Sequence, residues 1–196
     1  MGSSSSTGIL PKFQSLHIVL IGLDYSGKTT VLYRYKLDEF INTVPTIGFN
    51  SEKIKSKSGK TKGLSFRFWD AGGSEKLRPL WKSYTRNTDG IIFVIDSCDL
   101  ERLDEARCEL QRVTTCRENL GVPLLIIANK QDLPEALTVD RLDHELKMKD
   151  IRNHCPVHLQ PACAITGEGL TDGLDALYTM IQKKKKATKQ QKKLGR

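Results

Sequence analysis

The segment Gly22–Thr29, GLDYSGKT, has the residue types and spacing of a phosphate-binding loop. Its pattern, G-x-x-x-x-G-K-[ST], lies between a predicted strand and a predicted helix, as this motif requires. Glycines let backbone N–H groups curl around a phosphate, and the helix N-terminus adds a favourable dipole. Lys28 would reach the β- and γ-phosphates, and Thr29 would ligate Mg²⁺. The sequence therefore predicts a nucleoside triphosphate site, with a chance glycine-rich turn as the alternative.

A second polar segment, Asn129–Asp132 (NKQD), follows the apolar run PLLIIA. Open α/β sheets bind ligands where their strands end. The Asp132 carboxylate can accept the N1–H and the 2-amino group of guanine, which adenine cannot match, and Lys130 can cover the base. A polar loop after a strand is common, so the segment alone is a weak signal. Placed after the phosphate loop it favours guanine, although ATPases and nucleoside kinases share such a loop.

The predicted elements alternate between strands and helices, which favours an α/β fold with a mostly parallel sheet and helices on both faces. Residues 49–66 break the alternation with a turn at residues 58–60, which predicts an antiparallel hairpin on the sheet edge. Lysines 53, 55, 57, 60 and 62 of this hairpin are expected to form a solvated edge, with a membrane-facing role as the alternative. Strands are predicted at 16–23, 64–70, 90–97, 122–130 and 158–165, and helices at 28–36, 101–117, 138–147 and 170–183.

The length of 196 residues, with 38% hydrophobic content, suits one globular domain. Eight of the 31 basic residues lie in 183–196 without an acid, so the remaining 23 balance the 23 acidic residues elsewhere. Five cysteines without a Cys-x-x-Cys pair favour reduced thiols in the cytosol or nucleus. The apolar runs are far shorter than the roughly 20 residues of a membrane span, so we expect no span and no secretory signal.

Longer segments resemble small GTPases of the ADP-ribosylation factor (Arf) and Arf-like family. They are VPTIGFN, WDAGG, EKLRPLWKSYTRNTDGIIFVIDS and ANKQDLP, and the resemblance covers about residues 13–186. The segments FQSLHIVLIGLD and VLYRYK, with the basic tail, are most similar to the Arf-like 4 subgroup. The resemblance implies the small GTPase fold with a six-stranded sheet, GTP and GDP as ligands, Mg²⁺ as cofactor, and a switch that acts as a monomer.

The resemblance also assigns roles to single residues. Thr46 resembles the switch I threonine that senses the γ-phosphate through Mg²⁺, and Asp70 resembles the residue that holds Mg²⁺ through water. Gly73 resembles the switch II glycine whose N–H meets the γ-phosphate, and Asp24 stands where this family carries Asp instead of Gly. The predicted Mg²⁺ site is Thr29, Thr46 and Asp70. With the loop 163–165 that closes over guanine, the predicted nucleotide-binding residues are Gly22, Leu23, Asp24, Tyr25, Ser26, Gly27, Lys28, Thr29, Thr30, Thr46, Gly73, Asn129, Lys130, Asp132, Cys163, Ala164 and Ile165.

Three aromatic residues, Phe49, Trp69 and Tyr84, match the trio that the family presents to effectors between its switches. For any one of them, packing in the core is the alternative. Their exposure would change with the nucleotide, because loss of the γ-phosphate releases the switch loops. The resemblance implies an exchange factor, an activating protein and effectors as partners. It suggests that the GTP form recruits cytohesin-type Arf exchange factors to the plasma membrane, affecting actin and membrane traffic.

Ser74 stands where family members that resemble this chain carry Gln. In Ras-type switches that Gln orients the attacking water. Ser74 is too short to reach this water by the same route, and the charge of Glu75 would repel the γ-phosphate. With Lys28 and Gly73 as the other catalytic residues, we expect weak GTP hydrolysis, and a neutral hydroxyl in a solvated loop is the alternative. A cycling GTPase and a GTP-loaded recruitment module both stay open, and a nucleotide kinase or ATPase is the third class.

The N-terminal sequence MGSSSST fits M-G-x-x-x-[ST], with Gly2 as myristate acceptor. A disordered tail or an expression scar is the alternative. Ile9, Phe13 and Leu16 follow with near-helical spacing, which resembles the family's amphipathic N-terminal helix. The predicted domains are a lipidated segment at 1–15, a GTP-binding domain at 16–182 and a disordered polybasic tail at 183–196.

The basic tail is the predicted second membrane anchor. One myristoyl chain binds bilayers only marginally, with a constant on the order of 10⁴ M⁻¹. Lysines near an anionic inner leaflet add about 1 kcal/mol each. A solvated end and binding of a nuclear import receptor are the alternatives, whereas the lack of aromatic residues in the tail opposes direct nucleic-acid binding. We expect the cytoplasmic face of the plasma membrane, with further pools in the cytoplasm and nucleus.

Overall fold

A computed structural model of the chain describes residues 15–194. Most of the predicted N-terminal features, including Gly2, Ile9 and Phe13, lie outside these residues. Leu16, the last residue of the helical spacing, is the first residue of a strand and not part of a helix. Two helices, α2 and α5, were not predicted from the sequence, and each has only five residues. The elements are β1 (Leu16–Ile21), α1 (Lys28–Leu37), β2 (Phe49–Lys55), β3 (Ser65–Ala71), α2 (Trp81–Thr85), β4 (Gly90–Asp96), α3 (Leu103–Thr115), β5 (Leu124–Asn129), α4 (Val139–Glu145), α5 (Met148–Arg152), β6 (Val157–Pro161) and α6 (Leu170–Leu194).

The sheet has six strands in the order β2-β3-β1-β4-β5-β6. All neighbouring strands are parallel except β2 and β3, which form an antiparallel pair at one edge. The α/β fold with one antiparallel edge hairpin is thus confirmed. The parallel arrangement brings the carboxyl ends of β1, β3, β4, β5 and β6 to one edge of the sheet, where the predicted site residues follow.

The sheet has a hydrophobic cluster on each face, which explains why its central strands read as continuous apolar runs. Along β1, Ile18 and Leu20 pack with α1 and α6, whereas Val19 and Ile21 belong to the cluster that includes residues of α3 and α4. All four side chains are fully buried. Burial on both faces fixes β1 rigidly behind the phosphate loop that follows it.

The edge hairpin carries its five lysines on the exposed side, as the sequence predicts. The turn of the hairpin contacts the first turns of α6. The backbone N–H groups of Lys60 and Thr61 donate to the Asp175 carboxylate at 2.7 and 3.0 Å. The hydroxyls of Ser58 and Thr171 lie 3.1 Å apart. The hairpin turn is therefore tied to the last helix.

The prediction of a disordered tail from residue 183 is wrong for the described part of that segment, because α6 continues to Leu194. Residues 183–194 contain no Gly or Pro, and Lys, Ala and Gln favour helix. Lys185 also forms an ion pair with Asp89 at 2.7 Å, which holds the first turn of the basic segment against the body. Within residues 15–194, no helix combines the length and apolar character needed to span a bilayer.

Candidate functional site

The predicted site residues meet at one cleft of about 520 Å³. This volume falls in the range of small-molecule sites, roughly 300 to 1,000 Å³. Five predicted residues are buried beneath the cleft and do not line it: Gly22, Leu23, Ser26, Asp70 and Cys163. Several residues just before Thr46 also line the cleft and were not predicted from the sequence. The available signal was that they belong to the same segment as Thr46. They are Phe40, Asn42, Thr43, Val44 and Pro45. Leu133, after the guanine segment, was also missed.

The phosphate loop connects β1 to α1 and holds its lysine inside the fold. The Lys28 ammonium donates to the Leu23 carbonyl at 2.7 Å. Burial lowers the pKa of Lys28 to about 8, and the carboxylates of Asp70 and Asp24 oppose this shift. Gly27 has φ 94°, and a Cβ there would lie 2.3 Å from the Asn129 amide nitrogen. The loop therefore packs directly on the guanine segment.

Thr29, Thr46 and Asp70 come together although they lie on three separate segments. The Thr29 hydroxyl donates to Asp70 Oδ2 at 2.7 Å and lies 3.0 Å from the Thr46 hydroxyl. Burial raises the pKa of Asp70, against the hydrogen bond from Thr29. The other carboxylate oxygen, Oδ1, is buried and has no hydrogen-bond partner in the described part of the chain. Hydroxyl and carboxylate oxygens are ligands that Mg²⁺ prefers, so this set fits the predicted metal.

Asn129 connects two loops at the end of the cleft where the sequence predicts guanine binding. Its Nδ2 donates to the Ser26 carbonyl at 2.9 Å, and its Oδ1 accepts from the Ala164 N–H at 2.9 Å. Asn129 is buried, whereas Asp132 is exposed and lines the cleft. Asn129 thus joins the phosphate loop to the loop at 163–165, and Asp132 is the group free to meet a base.

Lys130 and Ile165 complete the lining of the guanine end. The Lys130 ammonium forms an ion pair with Asp96 at the end of β4. This pair places the lysine stem along the cleft that it lines. Ile165 is 52% exposed and lines the same cleft. The aliphatic stem of Lys130 and the side chain of Ile165 are apolar surfaces that suit a flat aromatic base.

The two segments that the resemblance predicts to be switches, around Thr46 and Gly73, approach each other and the phosphate loop. The Gly72 N–H donates to the Gly48 carbonyl at 2.9 Å, which joins the segment after Thr46 to the end of β3. A Cβ on Gly73 would lie 2.4 Å from both the Asp24 nitrogen and the Gly22 carbonyl oxygen. Only a glycine fits this approach. Thr46 and Gly73 are thus both placed at the phosphate end of the cleft.

Ser74 lies in the cleft lining directly after Gly73 and is exposed. Its hydroxyl forms no hydrogen bond with any residue between 15 and 194, whereas its carbonyl accepts from the Leu77 N–H at 2.8 Å. Glu75 is also exposed and does not line the cleft. A substitution of the side chain at 74 therefore breaks no hydrogen bond of the described residues.

The aromatic trio forms one surface cluster. The Phe49 ring stacks on Trp69 with 5.0 Å between centroids and lies 5.4 Å from Tyr84. Phe49 is 46% exposed, whereas Trp69 and Tyr84 are half-buried against the core. Trp69 thus packs against the core and at the same time contributes to the surface cluster, so both interpretations from the sequence hold for it.

A family model, individual relatives and a solved structure all group the chain with Arf and Arf-like proteins. Residues 4–181 match the ADP-ribosylation factor family. The chain is 60% identical to human ADP-ribosylation factor-like protein 4C over 98% of its length and all of the relative's. It is 57% identical to the human 4A protein, with 98% of both chains covered. It is 50% identical to the mouse 4D protein, with 96% and 94% covered.

A solved structure has the same fold. The Arl6 BBS3 small GTPase from Trypanosoma brucei, with the bound nucleotide analogue GppNp, superimposes with a TM-score of 0.77 at 30% identity. The match covers 87% of this chain and 99% of the other.

Proposed function

The chain belongs to the ADP-ribosylation factor family of small GTPases, and we propose that it is a slowly hydrolysing GTP switch of the plasma membrane. Family membership makes it a GTP-binding, GTP-hydrolysing switch, and its relatives place it with the Arf-like 4 proteins. The slow rate, the membrane and the effector class are the proposed parts.

Ser74 is the observation on which the slow rate rests. The Gln of Ras-type switches orients the attacking water, and Ser74 offers a short hydroxyl at that place in the cleft. Lys28, Thr29 and Thr46 surround the phosphate end independently of residue 74. Substrate binding is therefore retained, while the water lacks its positioning amide. Mg²⁺, held by Thr29, Thr46 and, through water, Asp70, would neutralise phosphate charge.

The test of the slow rate is single-turnover phosphate release from protein loaded with GTP. We expect a rate at or below the order of 10⁻⁴ s⁻¹, the intrinsic scale of Ras-type enzymes, with little stimulation by an Arf-type activating protein. Ser74→Gln should raise the rate, while GTP affinity changes by less than about threefold, because the amide acts on the transition state. Ser74→Ala is the matched control and should leave the rate unchanged. Equal rates for the native chain and Ser74→Gln contradict the proposal.

The nucleotide on protein purified from cells distinguishes a cycling switch from a permanently loaded module. Chiefly GDP supports cycling, and chiefly GTP supports a module that recruits partners with almost no turnover.

The aromatic cluster is the proposed effector surface, with cytohesin-type Arf exchange factors as the effector class. Phe49 is directly continuous with the segment that holds Thr46, so its position follows the state of that segment. Binding of a purified cytohesin-type protein should require GTP loading and fall at least tenfold with Phe49→Ala. Leu120→Ala, which removes an equally exposed side chain elsewhere, is the control. Equal binding to the GDP form contradicts this part.

The membrane anchor is proposed to combine a Gly2-linked myristoyl chain with the basic end of α6. Lys186, Lys189 and Lys193 are exposed and follow the i, i+3, i+7 spacing of one helix face. Half of the eight basic charges would contribute roughly 4 kcal/mol at an anionic leaflet. The same lysines fit an import receptor, so a nuclear pool is part of the proposal.

Vesicle binding tests this anchor in the full-length myristoylated chain. Gly2→Ala and deletion of 183–196 should each weaken binding to vesicles with anionic lipid, and the double change should abolish it. Binding through the tail should fall with salt, because the Debye length shrinks from about 10 Å at 0.1 M to about 3 Å at 1 M. Binding that ignores both lipid charge and salt contradicts the electrostatic part.

A further inference from the structure

Arg78 and Trp81, one helical turn apart, hold two successive backbone carbonyls of switch II. The Trp81 indole N–H donates to the Gly72 carbonyl at 2.9 Å. The Arg78 Nε–H donates to the Gly73 carbonyl at 2.8 Å. Both side chains are buried, so these bonds form away from competing water. The peptide groups on either side of Gly73 are therefore both fixed from one helical segment.

The direction of the Gly73 N–H follows from the bond to Gly72. The two groups belong to the same peptide plane, and in a trans peptide the N–H points opposite to the C=O. Holding the Gly72 carbonyl toward Trp81 therefore aims the Gly73 N–H away from α2. The Gly73 backbone also packs against the phosphate loop, because a Cβ built on Gly73 would lie 2.4 Å from the Asp24 nitrogen and from the Gly22 carbonyl oxygen.

Arg78 is itself held by acidic residues from two other elements. Its Nη1 donates to Glu105 of α3 at 2.6 Å, and the carboxylates of Asp24 and Glu109 lie 3.9 Å from the guanidinium. Arg102 pairs with the same Asp24 at 2.8 Å. A guanidinium can donate to a carbonyl and a carboxylate at once from one rigid plane, which a lysine ammonium cannot reproduce. The position of Gly73 is thus coupled to α3 and to the phosphate loop.

We infer that Trp81 and Arg78 are positioning residues that aim the Gly73 N–H at the γ-phosphate and thereby raise the affinity for GTP relative to the affinity for GDP. The inference rests on the proposed contact between Gly73 and the γ-phosphate. GDP has no γ-phosphate, so a misaimed N–H weakens GTP binding alone. The side chain at position 74 takes no part in either bond, so this effect on the relative affinity is independent of the missing Gln.

Trp81→Phe is the main test, because it keeps an aromatic ring in the core and removes the N–H donor. The smaller ring also loses packing, which should affect both nucleotides alike, so the ratio of the two affinities is the readout. Affinities are measured by competition for GDP and for a non-hydrolysable GTP analogue at fixed Mg²⁺. We expect the affinity for the analogue to fall on the order of fivefold, the effect of one lost hydrogen bond, with GDP affinity changed by less than about twofold. Lys76→Gln, which removes an exposed charge from the same segment, is the control and should change neither.

Arg78→Lys and Glu105→Gln extend the test to the second carbonyl. Arg78→Lys keeps the charge and loses the fork, so the analogue-to-GDP affinity ratio should fall by about as much as with Trp81→Phe. Glu105 is 40% exposed at its side chain, so Glu105→Gln loosens Arg78 without disturbing the core and should lower the ratio about twofold.

The outcomes separate this inference from the proposed function. A chain that binds no guanine nucleotide overturns the proposed function itself. Normal native affinities with an unchanged ratio in the variants, or equal losses for both nucleotides, overturn the positioning role alone. If Trp81→Phe and Arg78→Lys do not fold, the ratio measured for Glu105→Gln decides.

Discussion

The proposed guanine end and the proposed γ-phosphate end of the cleft are built differently. At the guanine end, Asn129 is 3% exposed and bridges two loops through two 2.9 Å hydrogen bonds at the end of a fully buried strand. At the γ-phosphate end, residues 38–48 form neither helix nor strand, and Val44 and Ile47 are 81% and 97% exposed. The Thr46 hydroxyl lies 3.0 Å from that of Thr29 at the phosphate end.

This difference indicates how a switch can keep its ligand while it changes state. Segments with few buried contacts open at a low free-energy cost, whereas buried, bonded segments open only with the whole fold. The guanine end should therefore stay the same with GTP and GDP, and the γ-phosphate end should respond to the third phosphate. Mutations at the two ends should separate into effects on both nucleotides and effects on GTP alone.

Asp132→Asn should give the largest effect and act on both nucleotides. The substitution replaces an acceptor for guanine N1–H and the 2-amino group, so affinity for GDP and GTP should fall together by about a hundredfold. Xanthine nucleotides, which carry an oxygen in place of the amino group, should gain affinity. Competition binding measures both, with Glu135→Gln, an exposed acid outside the cleft lining, as the control. Native protein that binds ATP as tightly as GTP would remove the basis of this prediction.

Thr46→Ala should act at the other end, on GTP alone. The substitution removes the hydroxyl that lies beside Thr29 and that would hold Mg²⁺ at the γ-phosphate in the proposal. Affinity for a GTP analogue with Mg²⁺ should therefore fall about tenfold, the effect of losing one interaction with a charged group. GDP affinity should change by less than about twofold. Ile47→Ala, next to Thr46 but 97% exposed and outside the cleft lining, is the control. A parallel loss for GDP would show that the two ends are not separable.

Asp175→Ala should loosen the hairpin that carries the switch segments and leave the guanine end unchanged. Two backbone N–H groups lose a charged acceptor, so the free energy of unfolding should fall by about 2 kcal/mol. Amide exchange at Lys60 and Thr61 should become faster, while GDP affinity is retained. Asp172→Ala, an exposed acid one turn earlier on α6, should cost less than about 0.5 kcal/mol. A loss of GDP affinity with Asp175→Ala would contradict the separation.

A change of pH should give the smallest effect, because it alters the charge of Lys28, which both nucleotides contact in the proposal. Burial lowers that pKa to about 8 in the free protein, and a bound phosphate raises it again. At pH 8 about half of the free chains then carry neutral Lys28, so binding takes up about half a proton. Apparent GDP affinity should be about twofold lower at pH 8 than at pH 6.5. Calorimetry in two buffers of different ionisation enthalpy measures the uptake, and buffer-independent heat at pH 8 would contradict it.

Much of the fold and of the site was predictable because the signals are local. The phosphate loop, the guanine segment and the hairpin each lie within a short stretch whose glycines, apolar runs or turn residues specify the backbone. The residues before Thr46 were missed because their segment has no periodic pattern. The tail was assigned to disorder from its charge, although its helix propensity continues α6 and Lys185 pairs with Asp89.

By itself, the sequence determined the strands, the phosphate loop and the residue types that suit guanine and Mg²⁺, since these depend on neighbours along the chain. Only the tertiary structure decided that Asn129 bridges Ser26 and Ala164, and that Arg78 reaches Gly73 from a helical turn anchored on α3. The bridge joins residues 103 and 35 positions apart, which meet only after the parallel strands have aligned their ends. The anchor likewise spans 27 positions between Arg78 and Glu105. Local patterns fix where groups lie along the chain, but packing of the sheet and helices fixes which of them touch.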